Sequence, residues 1–172
     1  NANHLKNILE PTKDLITDIT LQVTANGIYS QTMDMSRVSI CELKIVPDDC
    51  ESFSYSADCE ISFNLSNFIK CLKCFEIKES VTLTYNADNP DRLQINGIHN
   101  SYEIPLMDID PEYMDLSIVN YNNSVELSAK RWCEILEKHA FLESDCELAV
   151  FKGGINFKFE SIIGKASITE KV

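Results

Sequence analysis

The sequence predicts an α+β fold built from duplicated helix-and-antiparallel-sheet domains joined by an extended connector. Three observations predict it. Helical and alternating apolar patterns succeed one another in the order helix, strands, helix, strands. The opening pattern then returns 127 residues later, taking Leu5 to Trp132, Ile8 to Ile135, Leu9 to Leu136, Leu21 to Leu148, Val23 to Val150, Gly27 to Gly154 and Ile28 to Ile155. Between the copies, from Met107 to Asn123, periodicity fails. Asp108, Asp110, Pro111, Glu112 and Asp115 dominate there, with Tyr113, Met114, Leu116, Ile118 and Val119 as single apolar residues. A repeat this long is a duplicated domain, because each copy can hold its own helix-and-sheet core. The expected divisions are a first domain at 1–106, a connector at 107–123 and a second domain at 124–172 that stops short of a full copy.

Taken in order, Leu5, Ile8, Leu9, Leu15 and Ile16 recur at helical spacing, and Lys6 and Lys13, seven apart, share another face. Pro11 would cost about 3 kcal/mol in a helix interior, so the helix kinks or restarts there. Asp18 to Thr24 and Ile28 to Met33 alternate as strands, and Ala25-Asn26-Gly27 joins them, Asn and Gly supplying the positive φ of a tight hairpin. Val38 to Ile45 and Cys59 to Phe63 read as third and fourth strands. Asn64 or Ser66 caps a second helix whose apolar face is Leu65, Phe68, Ile69 and Leu72, with Lys70 and Lys73 beside it. Val81 to Tyr85, Arg92 to Ile95 and Ser101 to Leu106 give three more strands. Ser128 caps a third helix with Trp132, Ile135 and Leu136 on one face and Arg131 and Lys138 on another.

With 172 residues, 44% of them hydrophobic, the chain can bury the core of one domain or the larger part of two. Lys plus Arg is 15 against 27 Asp plus Glu, a net charge of −12. That balance argues against holding nucleic acid with the whole surface and leaves room for a local basic strip. The composition is that of a folded chain, and no apolar run approaches the roughly 18 residues of a membrane helix. Asn1-Ala2-Asn3-His4 has neither the basic start nor the apolar stretch of a signal peptide, and the expectation is a sequence that begins inside a longer natural chain.

Seven cysteines, an odd number in a chain able to stand on its core, fit a reducing compartment. Cys71-Leu-Lys-Cys74 has the spacing of a zinc or redox pair, but it lies on an amphipathic helix and no second pair follows, so packed thiols are expected. His4, His99 and His139 are scattered outside any ligand motif. Asp108-Ile-Asp110-Pro-Glu112 offers two calcium-loop ligands, yet Pro111 and the missing Gly and terminal Glu break that pattern. There is no Gly-rich phosphate loop and no G-x-S-x-G, so neither catalysis nor a cofactor has sequence support.

The remaining constellation is cationic. Lys6, Lys13, Lys70, Lys73, Arg131 and Lys138, with Lys130 less regular, give each predicted helix a positive face. On any one helix that is an ordinary solvated face. Recurrence on all three, with the helices on one side of a continuous sheet, would make a common surface that meets phosphates without reading bases.

Leu5-Lys-Asn-Ile-Leu-Glu-Pro-Thr-Lys-Asp-Leu15, the hairpin with Gly27, Gln31-Thr-Met-Asp34 and Ser36-Arg-Val-Ser39 resemble the proliferating cell nuclear antigen family, the eukaryotic DNA sliding clamps. So do Asn64-Leu-Ser-Asn-Phe-Ile-Lys-Cys-Leu-Lys-Cys74 and Tyr102-Glu-Ile-Pro-Leu-Met-Asp-Ile-Asp110. The resemblance implies the DNA clamp (processivity) fold: a head-to-tail homotrimeric ring, helices lining a hole for duplex DNA and a β wall outside. It implies a non-enzymatic nuclear protein that needs no cofactor, tethers DNA polymerase and other replication and repair proteins, and is opened by an ATP-driven clamp loader. Lys6, Lys13, Lys70 and Lys73 match the family's channel positions, and Arg131 and Lys138 fall on the matching second-domain helix. Met33, Arg37, Val38, Met114 and Leu116 match the pocket for partner peptides, Arg37 differing from the residue usual there. Ser101, Tyr102 and Ile104 match one edge of the subunit interface, and Lys165 and Ile168 lie on the strand expected to meet it. The sequence departs from the family in lacking an initial strand and in a short loop between Ile95 and Ser101. A clamp-like adaptor that binds proteins without encircling DNA, and a C-x-x-C redox or zinc enzyme, remain the alternatives.

Overall fold

Asn1 opens helix α1 (Ala2–Leu9), its side-chain oxygen accepting from the backbone N–H of Asn3 at 3.0 Å and of His4 at 3.2 Å. The computed structural model describes residues 1–116 and 122–171. Connector positions Ile118 and Val119 lie outside the described residues. Pro11 decides where α1 ends: the chain tightens into a 3-10 turn, Glu10–Thr12, and Lys13 follows it. The helical segment carrying Lys6 and Lys13, expected to kink or restart at Pro11, is therefore two pieces.

The chain divides into two compact units, Asn1–Asp115 and Leu116–Val172. In the first, strands β1 (Asp18–Thr24), β2 (Gly27–Met33), β3 (Ile40–Ile45) and β4 (Cys59–Asn64) form an antiparallel sheet in the order β3-β2-β1-β4. Helix α2 (Leu65–Leu72) starts directly from β4, with Asn64 as its cap, accepting from Asn67 N–H at 3.0 Å. Strands β5 (Thr82–Tyr85), β6 (Arg92–Asn96) and β7 (Ser101–Pro105) make a second antiparallel sheet. The core lies where α1 and α2 pack on one another and on the sheets, and Phe63, Leu65, Phe68, Leu72 and Ile95 are buried in it. The Phe63 and Phe68 rings meet at 4.8 Å, a tilted pair.

Gly27 makes the β1–β2 turn possible. Its φ is +118°, and a Cβ there would collide with the Ile45 carbonyl oxygen on β3. Ala25 and Asn26 stay at negative φ, so the glycine alone carries the conformation expected of Asn26 and Gly27 together.

The second unit contains helix α3 (Ala129–His139) and strands β8 (Cys146–Phe151), β9 (Gly154–Glu160) and β10 (Lys165–Lys171), in the order β10-β9-β8. Two of its starts follow the first unit at the same spacing: α1 begins at Ala2 and α3 at Ala129, β2 at Gly27 and β9 at Gly154. Ser128 caps α3 as Asn1 caps α1, accepting from Arg131 N–H at 3.2 Å. The copies diverge at Pro11, whose counterpart is Lys138. Without a proline, α3 runs on to His139 before its own 3-10 turn, Ala140–Leu142. A smaller core of Ile135, Leu142, Ile155, Phe157 and Phe159 holds this unit, with Trp132 edge-on to Phe157 at 5.3 Å. Leu21 on β1 is 8% exposed and its counterpart Leu148 on β8 is 46% exposed. β1 has β4 on its second side, whereas β8 is the edge of its sheet.

Candidate functional site

Helix ends position the first-unit cations. Lys6 lies in the last turn of α1, Lys70 in the last turn of α2, and Lys73 caps α2, where the carbonyl ends of the helices favour positive charge. Glu10 meets Lys73. Its Oε1 accepts from Lys73 Nζ at 2.6 Å. The Lys73 hydrogen bond, with the charges of Lys73, Lys6 and Lys13 behind it, holds the Glu10 carboxyl below the usual carboxylate range against the opposing effect of burial. Three lysines thus act on one point at the junction of α1, its 3-10 turn and α2. Among the described residues, Lys6, Lys13 and Lys70 make no ion pair.

The second-unit cations are arranged differently. Arg131 is committed to acids of its own unit: its Nε and Nη2 donate to Glu170 on β10, and Nη1 reaches Glu134 Oε2 at 3.4 Å. Lys138 is exposed in the last turn of α3. The 127-residue spacing takes Lys6 to Cys133, Glu10 to Glu137 and Lys13 to Ala140, so α3 carries no lysine at the positions matching the first-unit cations.

A second constellation surrounds the start of the connector. Gln31, buried on β2, pairs with the main chain of Met114 as a strand would: Met114 N–H donates to its Oε1 at 2.6 Å, and its Nε2 donates to Met114 O at 3.0 Å. Glu42 on β3 orients that amide by accepting from Nε2 at 3.1 Å, and Tyr29 donates to the same carboxylate at 2.6 Å. On either side of this tie, Tyr113 donates to Glu60 at 3.2 Å and Arg37 pairs with Glu112 at 3.4 Å. Burial, with the Glu60 carboxylate, pushes the Tyr113 hydroxyl up to about 12. Sequence reasoning includes Gln31 in a motif without assigning it a role, since between Ser30 and Thr32 it reads as one of several polar residues. Truncation by Gln31→Ala strands both Met114 main-chain groups, with an expected cost of about 1–3 kcal/mol. Urea denaturation of the full chain, with faster exchange of the Met114 amide, checks it.

Met33, Arg37, Val38 and Met114 belong to this neighbourhood. Val38 is 83% exposed and Met114 47% exposed, while Met33 is half-buried; Leu116, also exposed, falls at the start of the second unit. Arg37 takes a left-handed φ of +59°, and Asp34 stabilises that turn. The Asp34 carboxylate accepts from the N–H groups of Ser36, Val38 and Ser39 and from the Ser36 hydroxyl. These bonds, the Ser36 hydroxyl first, hold Asp34 down to about 2. A depressed acid stabilises above its unfolded pKa, so this contribution is complete above about pH 4 and is lost as pH falls through about 2. The expected result is an Asp34 carboxyl titrating near 2 by NMR, with Val38 and Ser39 amide shifts moving in step; a midpoint near 4 refutes it.

The predicted edge positions lie on true edges, with side chains turned mostly inward. β7 borders its sheet, Ile104 is buried, and Tyr102 packs edge-on against Phe75 at 5.4 Å. Ser101 donates to Asn96 at 2.6 Å. β10 borders the other sheet, exposing Lys165 and burying part of Ile168. Contact at either edge therefore falls to main-chain groups and to the outward residues.

The seven cysteines are free thiols, and burial, with Cys74 second, raises the Cys71 thiol. Among the described residues, no group of three or more His, Cys, Asp or Glu converges as for a metal ion, and no helix is long and apolar enough to cross a membrane.

Residues 1–121 match the family described as proliferating cell nuclear antigen, N-terminal domain. The chain is also 25% identical over 170 residues to proliferating cell nuclear antigen 2 of Drosophila melanogaster, in an alignment covering 95% of this chain and 66% of that protein. The chain thus spans just under two thirds of that relative's length.

Proposed function

The chain belongs to the proliferating cell nuclear antigen family, and from that premise we propose that it is a DNA sliding clamp, a non-enzymatic processivity factor that encircles duplex DNA and tethers polymerases and other replication and repair proteins to it. The observation that carries this reading is the Lys73–Glu10 ion pair, at whose carboxyl the charges of Lys6 and Lys13 also act, in a chain whose net charge is −12. Flexible ammonium groups suit weak, interchangeable phosphate contacts, and acidic surfaces elsewhere discourage DNA from other faces. Lys138 adds to this set; Arg131 adds less, being held by Glu170 and Glu134. Partner peptides dock over Met33, Arg37, Val38 and Met114. β7 pairs with β10 of a neighbouring copy, exposed Glu103 opposite in sign to exposed Lys165 and Lys171, and repetition of that contact by rotation closes a homotrimeric ring for a clamp loader to open. Work at nuclear replication sites, in a reducing compartment, agrees with seven free thiols.

The commitment of Arg131 favours a second reading, an adaptor that binds proteins but does not encircle DNA by itself. Retention on DNA circles separates the two. A clamp stays on a closed circle and runs off when the circle is cut, and light scattering shows a trimer. A monomer with equal retention on circular and linear DNA overturns the clamp.

A further inference from the structure

Resting on the clamp reading, we propose that Glu10 is a built-in counter-ion of the lysine cluster, a carboxylate that a DNA phosphate must displace from Lys73 and that keeps the hold on DNA weak. Pro11 ends α1 one residue beyond Glu10, and the 3-10 turn it starts places the carboxylate against the cap of α2. The Glu10–Lys73 distance is 2.6 Å, with the two side chains 32% and 48% exposed, so a phosphate can reach the pair from solvent. A phosphate oxygen carries the same charge and accepts the same ammonium hydrogens as the carboxylate it would replace. The charges of Lys6 and Lys13 act on the same carboxyl, so a displacing phosphate enters a positive field while its contact is with Lys73.

An exposed pair of this kind is weak enough to exchange rapidly. A phosphate gained at Lys73 then requires the release of an internal acid, and that swap is nearly balanced. The second unit also sets acids against its cation, Arg131 held between Glu170 and Glu134.

The test is a double-mutant cycle on the full chain, with DNA affinity measured across a salt series. Glu10→Gln is expected to tighten binding by about 2- to 5-fold. The slope of log K against log salt should stay nearly the same, because Lys73 meets a phosphate in both chains and only the cost of displacing the carboxylate is removed. In a Lys73→Ala background the same change should have little effect, because the cation it releases is gone. Unchanged or weaker binding by Glu10→Gln, or an equal gain with and without Lys73, overturns the proposal. Inorganic phosphate, followed by NMR at Lys73 Nζ and the Glu10 carboxyl, is a second probe that does not depend on the clamp reading. Displacement predicts that phosphate perturbs both groups in the parent chain and that Glu10→Gln binds it more tightly; no perturbation counts against the counter-ion even where DNA binding fails for other reasons.

Discussion

Replacing Lys6, Lys13, Lys70 and Lys73 together by Ala is expected to remove most of the salt-dependent association with DNA. If each lysine neutralises one phosphate, the slope of log K against log salt falls by about 3–4, near 0.9 for every phosphate that is no longer neutralised. At low salt, affinity falls by about two orders of magnitude, and every duplex sequence is affected alike because phosphate contacts carry no base information. Fold stability should change little, since all four side chains are partly or fully exposed and only Lys73 makes an ion pair. The same four substitutions leave Gln31, Asp34 and the Met114 tie untouched, so partner peptides should bind as before. An unchanged slope removes the clamp reading; loss of slope together with loss of peptide binding points instead to a folding defect.

The largest effect on stability is expected from Phe68→Ala. Phe68 is 1% exposed, lies on the inward face of α2 and meets Phe63 in a tilted pair at the junction of helix and sheet. Its removal deletes a ring from a site fixed on several sides, at a cost of about 3–5 kcal/mol. Against the roughly 5–15 kcal/mol typical of a whole domain, that is enough to bring the first unit close to unfolding. Ile77→Ala provides the contrast: Ile77 is exposed, and a change within about 0.5 kcal/mol is expected. Urea midpoints of the two variants check the difference. A small effect at Phe68 would mean that α2 is not held by its apolar face.

How much of this is legible in the sequence differs from element to element. The apolar periodicity of Leu65, Phe68, Ile69 and Leu72 marks α2, and Asn64 marks its start, because both signals are local. The hairpin is legible through Gly27, whose φ and close approach to Ile45 no other residue satisfies. Pro11 reads as a kink or a restart, and in the structure its effect is a 3-10 turn that separates Lys13 from α1. The cations stand out as a pattern of charge. Their partners do not, because Glu10 meets Lys73 and Arg131 meets Glu170 only after the chain has folded. Gln31 escapes notice for the same reason: its partner, the main chain of Met114, is 83 residues away.

Trp132 is the chain's single tryptophan, set in the second unit against Phe157, while Tyr29, Tyr55, Tyr85, Tyr102 and Tyr113, five of the 6 tyrosines, fall in the first. Indole emission is therefore a reporter for one half of the molecule, blind to collapse of the half that carries the lysine cluster. Near-ultraviolet dichroism of the tyrosines watches mainly the other half. Recording both signals in one melt tells whether the two halves come apart together or one after the other.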